Sequence, residues 1–393
     1  MRALDIVHNQ IRQSTDFMHA ARWAALWRTV LALIGGRKLW LTALGRALPG
    51  AAMRKHAIKA VDRLLGNALL YRERPRVAAA IARLIIKRRA TIVVLIDTVE
   101  IRHKVIGFVA SVAHQGRSIP IWSTMTNAYK VNAAGCRAFL RGLHQVLPPD
   151  CAPILVTDGG FETDWFDYVE RLGWDYVGRV RGRKTFVLGD ARFSCSDLHA
   201  MAGRRAKNLL GLLFPITKPR ARRLVLSKPP VSRHRRKKTR RGPDNDTNYR
   251  HYRKNAHEPL ILTTSLSCNP QQVVDLYAVR MQIEQNFRDL KNHRWGWSLR
   301  HCRSAGKRRV ELLLLIGGIA TFVQHLAGFA GELVDLHHRY QANTVRKRRV
   351  LSFFVLGSLL LNAGRPDELT NSSLKRALAR LRSDVCVLAA GAT

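Results

Sequence analysis

Three acidic residues stand out in a chain otherwise dominated by cations. Asp97 closes the apolar, β-branched run Thr91-Ile-Val-Val-Leu-Ile, and Asp158 closes Ile154-Leu-Val-Thr. Runs of that texture predict short strands buried on both faces, each with its aspartate at the C-terminal end. Glu284 lies in the stretch Asp275–Lys291, where Leu276, Val279, Ile283, Phe287 and Leu290 recur at helical spacing. Ends of neighbouring strands converge at one edge of a sheet. Two strand-borne carboxylates and one helix-borne carboxylate would then form an acidic site with oxygen ligands only. Such a donor set favours Mg²⁺ or Mn²⁺ over zinc. Two such ions about 4 Å apart clamp the attacking and leaving oxygens of an in-line phosphoryl displacement.

The elements that must hold these acids follow from the pattern. Residues 1–88 read as helical. Two short helices across the Pro49-Gly50 turn resemble a helix-turn-helix, whose second helix presents Arg54, Lys55, His56, Lys59 and Arg63 outward. After the Asp97 strand, Val105–Ala113 and Ser118–Thr126 predict an antiparallel hairpin. A helix near 133–147, the Asp158 strand, a helix near 162–172 and a strand at 175–180 complete a mixed α/β sheet. Residues 182–258 interrupt it. Of the 24 residues from Lys218 to Arg241, twelve are Lys or Arg, which predicts a DNA-facing insertion with a flexible tip. Leu260–Leu266 restores the strand texture, and Asp275–Lys291 is expected as one continuous helix. Residues 304–393 read as mostly helical.

Composition narrows the partner. Lys and Arg number 67 against 27 Asp and Glu, a formal charge of +40 over 393 residues. A folded chain with that excess implies a polyanion, and nucleic acid is the obvious one. No long basic amphipathic helix points to a membrane surface instead, and Leu312–Val323 predicts a buried helix too short to span a bilayer. The six cysteines are scattered without a C-x-x-C pair, as expected of reduced thiols in the cytoplasm. Walker phosphate loops, H-E-x-x-H and G-x-S-x-G are all absent from the sequence.

The order of the acids and the spacing Tyr277-x2-Arg280-x3-Glu284-x6-Lys291 resemble the DDE transposases of the bacterial insertion-sequence-four family. The likeness extends to Asp62–Asn67, to Ala113-x-x-Gly-Arg-Ser118, to Gly178-Arg-Val-Arg-Gly182, to Phe287-Arg-Asp-Leu-Lys291 and to residues 341–346. It implies a ribonuclease-H-like catalytic core over 89–303, carrying a β-rich insertion at about 182–258. A helical DNA-binding domain over 1–88 and a C-terminal helical region over 304–393, expected to dimerise, flank that core. Asp97, Asp158 and Glu284 would be the catalytic and metal-binding triad for two Mg²⁺ ions, with Mn²⁺ able to substitute. The implied reaction nicks double-stranded DNA at the terminal inverted repeats, passes through hairpins and joins 3′ ends to target DNA, within a homodimeric synaptic complex. A structure-specific nuclease and a decayed DNA-binding repressor are the rival readings.

Placement along the helix suggests the remaining roles. Lys291 lies two turns beyond Glu284, about 10 Å along the axis, so it is cast with Arg280 and Arg288 as a clamp on phosphates. Tyr277 either bonds a phosphate or packs. The family's hairpin step holds a flipped base on an aromatic of the insertion. The insertion here has no tryptophan, so Phe186, Phe193, Phe214, Tyr249 and Tyr252 are the substitutes, with Trp295 and Trp297 as alternatives.

Overall fold

The computed structural model describes residues 2–50, 52–102, 105–126, 132–214, 219–228, 258–304, 306–342, 344–363 and 369–386. The chain separates into two compact units, one built on Met1–Pro153 and Val279–Leu388, the other on Ile154–Ala278. These contacts divide the chain near 153 and 278. The helices of 1–88 share their unit with Asp97 and Glu284.

In the first unit, helices α1 (Arg2–Gln13), α2 (Ala20–Gly36), α3 (Leu41–Ala47), α4 (Arg54–Leu65) and α5 (Ala68–Ile85) precede the antiparallel meander β1 (Thr91–Arg102), β2 (Val105–His114) and β3 (Arg117–Thr126). The β2–β3 turn is Gln115-Gly116, both with positive φ (46° and 87°), as a two-residue hairpin turn demands. Helix α6 (Ala133–Val146) follows. Helices α3 and α4 are the expected pair across Pro49-Gly50. Gly45 lets them close, since a Cβ there would meet the Ile58 backbone.

The second unit takes up β4 (Ala152–Thr157) from Ile154 onward, then α7 (Thr163–Arg171) and β5 (Asp175–Arg179). Strands β4 and β5 are parallel, as a helical crossover requires. The expected insertion is mostly β: β6 (Thr185–Leu188), β7 (Ala191–Ser194), helix α8 (Cys195–Met201), β8 (Lys207–Leu213) and β9 (Ala221–Ser227). Strand β10 (Leu260–Thr264) lies between β5 and β9, antiparallel to both. The order within this unit is therefore β4-β5-β10-β9-β8-β6-β7. The insertion has its own apolar core of Phe186, Leu198, Leu212, Phe214, Leu224 and Ile261. Most of the basic run, Lys218 and 229–241, lies outside the described residues.

Helix α9 (Pro270–Ala278) ends this unit, and α10 (Met281–Lys291) begins again in the first. The single helix expected over Asp275–Lys291 is thus broken at Val279-Arg280. The C-terminal region supplies α11 (Lys307–Glu332), α12 (Phe353–Asn362) and α13 (Asn371–Asp384). Helix α11 is longer than the apolar run suggested. It is long and apolar enough to cross a membrane, yet 94% of its most apolar window is buried inside the protein. It serves as the central post of the first unit, touching α2, α5, α12, α13 and β3. Its one buried acid, Glu311, is paired with Arg74 at 3.2 Å and accepts the Met125 N–H at 2.7 Å. All six cysteines are free thiols.

A second polar contact inside this unit joins three elements. His114 at the end of β2 shares a 2.7 Å hydrogen bond with His325 of α11, and its other nitrogen lies 3.4 Å from Asp384 of α13. Burial depresses His114 to about 4 and holds His325 well below the usual imidazole range. Both rings are neutral in the native chain at neutral pH. Below about pH 6.5 the unfolded chain binds more protons than the folded one. Stability present above that value is therefore lost as pH falls toward the folded-state values. The melting temperature should drop between about pH 7 and about pH 5, and the drop should be shallower in His325→Gln. Equal slopes for the two proteins, measured by thermal unfolding, would refute this assignment.

Candidate active site

Asp97 does not end its strand. Strand β1 runs on to Arg102, and Asp97 sits mid-strand opposite Val109. The wholly buried stretch stops at Ile96, after which the strand continues half-exposed within the meander. The Asp97 side chain keeps 13% of its surface exposed, and its Oδ1 accepts the Thr98 N–H at 2.7 Å. Asp158, in the second unit, does follow the end of its strand. Its Oδ1 accepts the Gly160 N–H at 2.9 Å in a turn that aspartate favours.

Glu284 projects from the first turn of α10, with 41% of its side chain exposed. The residue that joins it to Asp97 is Arg280. One guanidinium nitrogen bonds Asp97 Oδ2 at 3.1 Å, and the other bonds Glu284 Oε1. Helical spacing casts Arg280, beside Glu284 yet beyond metal reach, as a phosphate clamp; in this structure it also bonds Asp97 and so bridges two of the acids. The helix break explains the difference. Arg280 stands just before α10 and reaches across to β1 while keeping the i,i+4 relation to Glu284.

Helix α10 is fixed on the meander by its buried face. Asn286 Nδ2 donates to the Ser118 carbonyl at 2.7 Å, and Arg117 Nε donates to Asp289 Oδ2 at 2.8 Å. Burial pushes the Asp289 carboxyl up, and the Arg117 charge opposes that push. Both partners come from segments flagged by resemblance, Gly-Arg-Ser118 and Phe-Arg-Asp-Leu-Lys291, but the pairing itself escaped the sequence reading. Behind the helix the backbone at Gly296 presses on the Asp289 carbonyl, leaving no room for a Cβ.

Lys291 is half-buried, with its ammonium 6.0 Å from the Phe287 ring centroid. Desolvation and Arg300 lower its pKa, while Asp97 and Glu100 oppose the shift. The lysine therefore senses the acid on β1. Arg288 is exposed on the same helix. Tyr277 is buried in α9 of the second unit, which suits the packing role. On α4, Arg54, Lys55, His56, Lys59 and Arg63 are all exposed, while Val61, Leu64 and Leu65 face the core.

The aromatic candidates for holding a base divide sharply. Phe186 and Phe214 stack on each other in the insertion core, with Phe193 against it. Trp297 is 1% exposed and donates to Thr321. Trp295 is exposed, and Tyr249 and Tyr252 lie outside the described residues.

Residues 100–321 match the transposase DDE domain family. The match begins just after Asp97 and includes Asp158 and Glu284. No match is found among curated proteins. Among solved structures, the chain is similar to a piggyBac transposase in a synaptic complex with hairpin DNA, determined by cryo-EM. Identity is 11% and the TM-score 0.42, over 99% of this chain and 83% of that one. The order β-β-β-α-β-α-β from β1 to β5 is that of a ribonuclease-H-like core. With more than half its length in the family match, the chain belongs to the transposase DDE domain family, DNA-cleaving and DNA-joining enzymes that depend on divalent metal.

Proposed function

We propose that the protein is a cut-and-paste transposase of the insertion-sequence-four group, resembling the transposase of the insertion sequence ten element. The observation that carries this reading is the shared guanidinium: Asp97 and Glu284, 187 positions apart in sequence, converge on Arg280. Carboxylates from a strand and a helix that meet a single cation have the donor chemistry to meet a divalent ion. Asp158 is assigned to the same set by the family's order of acids. Mg²⁺ is the expected ion, two per site, with Mn²⁺ as substitute. Bound there, the metal would polarise the scissile phosphate and the attacking oxygen.

The chain's own residues do the rest. Asp97 and Glu284 would hold the ion from two elements whose separation is fixed by the Asn286 and Arg117 contacts. With the carboxylates engaged by metal, Arg280 would be free to join Lys291 and Arg288 in holding phosphates. Tyr277 packs. The outer face of α4 reads the terminal inverted repeats, with its cations on phosphates and guanine edges. The insertion grips the DNA backbone, and the C-terminal helices support a homodimer that holds two ends. Hairpin intermediates connect nicking to double-strand cleavage. The expected setting is the bacterial cytoplasm, at the nucleoid.

Cleavage of end-bearing DNA with Mg²⁺ or Mn²⁺ tests the core of this. Asp97→Asn, Asp158→Asn and Glu284→Gln should each lower cleavage by roughly a hundredfold or more, the scale of losing one electrostatic stabiliser, while end binding persists. Wild-type cleavage rates in any of the three would sink the assignment, and cleavage without strand joining would favour a nuclease instead. Arg280→Ala should tighten Mn²⁺ binding to the DNA-free protein by on the order of tenfold, since charge-assisted hydrogen bonds of this kind contribute about 1.5–3 kcal/mol and Glu284 is partly exposed. Calorimetry showing equal or weaker binding would remove Arg280 from that role. Lys291→Ala should lower the salt slope of end binding by about 1; an unchanged slope would argue against a phosphate contact.

A further inference from the structure

A cleft of about 1120 Å³ opens in the first unit between the link joining α2 to α3 and the segment that follows α10. Its lining includes Lys38, Trp40, His293, Arg300, His301 and Arg303, and none of the lining residues is acidic. Lys38, Arg300, His301 and Arg303 are exposed, and Trp40 is partly so. The indole is held by its neighbours, with the His301 ring edge-on at 5.8 Å and the Lys38 ammonium 5.8 Å from its centroid. The walls are pinned to each other. Leu39 N–H donates to the Trp297 carbonyl at 2.8 Å, and Trp297 is anchored through its indole N–H to Thr321 of α11 at 2.9 Å.

We infer that this cleft is a site for an unpaired nucleotide of a DNA strand, its base stacked on Trp40 and its flanking phosphates on Lys38, Arg300 and Arg303. The chemistry distinguishes the ligand. A duplex offers this surface only phosphates, since its base faces are stacked inside, so an aromatic among cations adds little affinity for it. An extruded or single-stranded base has an open π-face, and aromatic stacking combined with a cationic track is the common way proteins hold such strands. The volume suits a ligand of nucleotide size. Location supports the same reading. The 3-10 turn Leu299–His301 packs against β1, the strand that carries Asp97. Arg300 is also close enough to Lys291 to depress its amine. A strand whose scissile phosphate meets Asp97 and Glu284 thus has a basic path along Lys291 and Arg300 to Trp40. The inference rests on the proposed action on DNA ends and adds to it where a nucleotide outside the duplex is received.

The test is fluorescence anisotropy with a short labelled oligo(dT), the same oligomer carrying an abasic position, and a labelled duplex, all at one salt concentration. Trp40→Leu, which keeps bulk and loses the π-face, should weaken oligo(dT) binding by about tenfold, within the range for loss of one stacked base, and leave duplex binding unchanged. Trp40→Phe should bind close to wild type, which separates lost stacking from lost folding. The Arg300→Ala/Arg303→Ala pair should weaken oligo(dT) and its abasic form alike. Oligo(dT) affinity unaltered by Trp40→Leu, or lost equally with the duplex, would overturn the assignment. So would displacement of the oligomer by an equal concentration of free dTMP, which would point to a soluble nucleotide. Wild-type cleavage of end DNA is measured alongside. Its failure with Trp40-dependent binding intact faults the catalytic reading alone, and the reverse pattern faults this site alone.

Discussion

Two carboxylates sharing one guanidinium is the contact that the rest of the first unit serves. Asp97 and Glu284 come from a strand and a helix far apart in sequence, and like charges brought close need a cation between them. Arg280 supplies it at the point where the chain leaves one unit for the other. For the pair to be useful, α10 has to hold its position against the meander without help from the acids. Asn286 on Ser118 and Arg117 on Asp289 provide that, through a buried and a part-buried hydrogen bond whose loss would leave polar groups poorly satisfied.

The same economy governs the scaffold. Glu311 is fully buried in the long apolar helix α11, and is tolerated because Arg74 and a backbone N–H of β3 meet its charge. Arg74 is itself clamped over the Trp122 ring, 4.3 Å from its centroid. Replacing one partner would strand the other in a low-dielectric interior, so this pair ties α5, β3 and α11 into a single register more strictly than apolar packing would.

What was legible in the sequence follows from which signals are local. The β-branched runs at 91–97 and 154–158 and the Gln115-Gly116 turn gave strands and a hairpin close to those observed, because buried strands and tight turns are written in adjacent residues. Asp97 was misplaced to a strand end because apolar texture reports burial, and the strand outlasts its burial by several residues. The break at Val279-Arg280 was invisible because no Gly or Pro marks it and the apolar positions keep helical phase across it. Helical geometry alone placed Arg280 beside Glu284, but nothing local says that Asp97 comes to its other side. The aromatics of the insertion could not be sorted into core and surface without the Phe186–Phe214 stack, and Trp40 drew no notice because its cleft is shared with residues some 260 positions away.

Charge gives these observations a common direction. A chain with 67 basic and 27 acidic side chains has few carboxylates to spare, and many of those described are engaged by internal arginines: Glu311 by Arg74, Asp289 by Arg117, Asp167 by Arg222, Glu258 by Arg179. Acids used this way neutralise buried or half-buried guanidiniums and leave the outward-facing cations of α4 and of the Trp40 cleft without acidic neighbours from this set. Asp97 and Glu284 belong to the same pattern with one difference. Their arginine stands beside a carboxylate that is substantially exposed, so solvent, metal and phosphate can all compete for the contact. An ion pair in the interior would resist that exchange. On the proposed function, an ion that took the carboxylates would leave Arg280 for a phosphate.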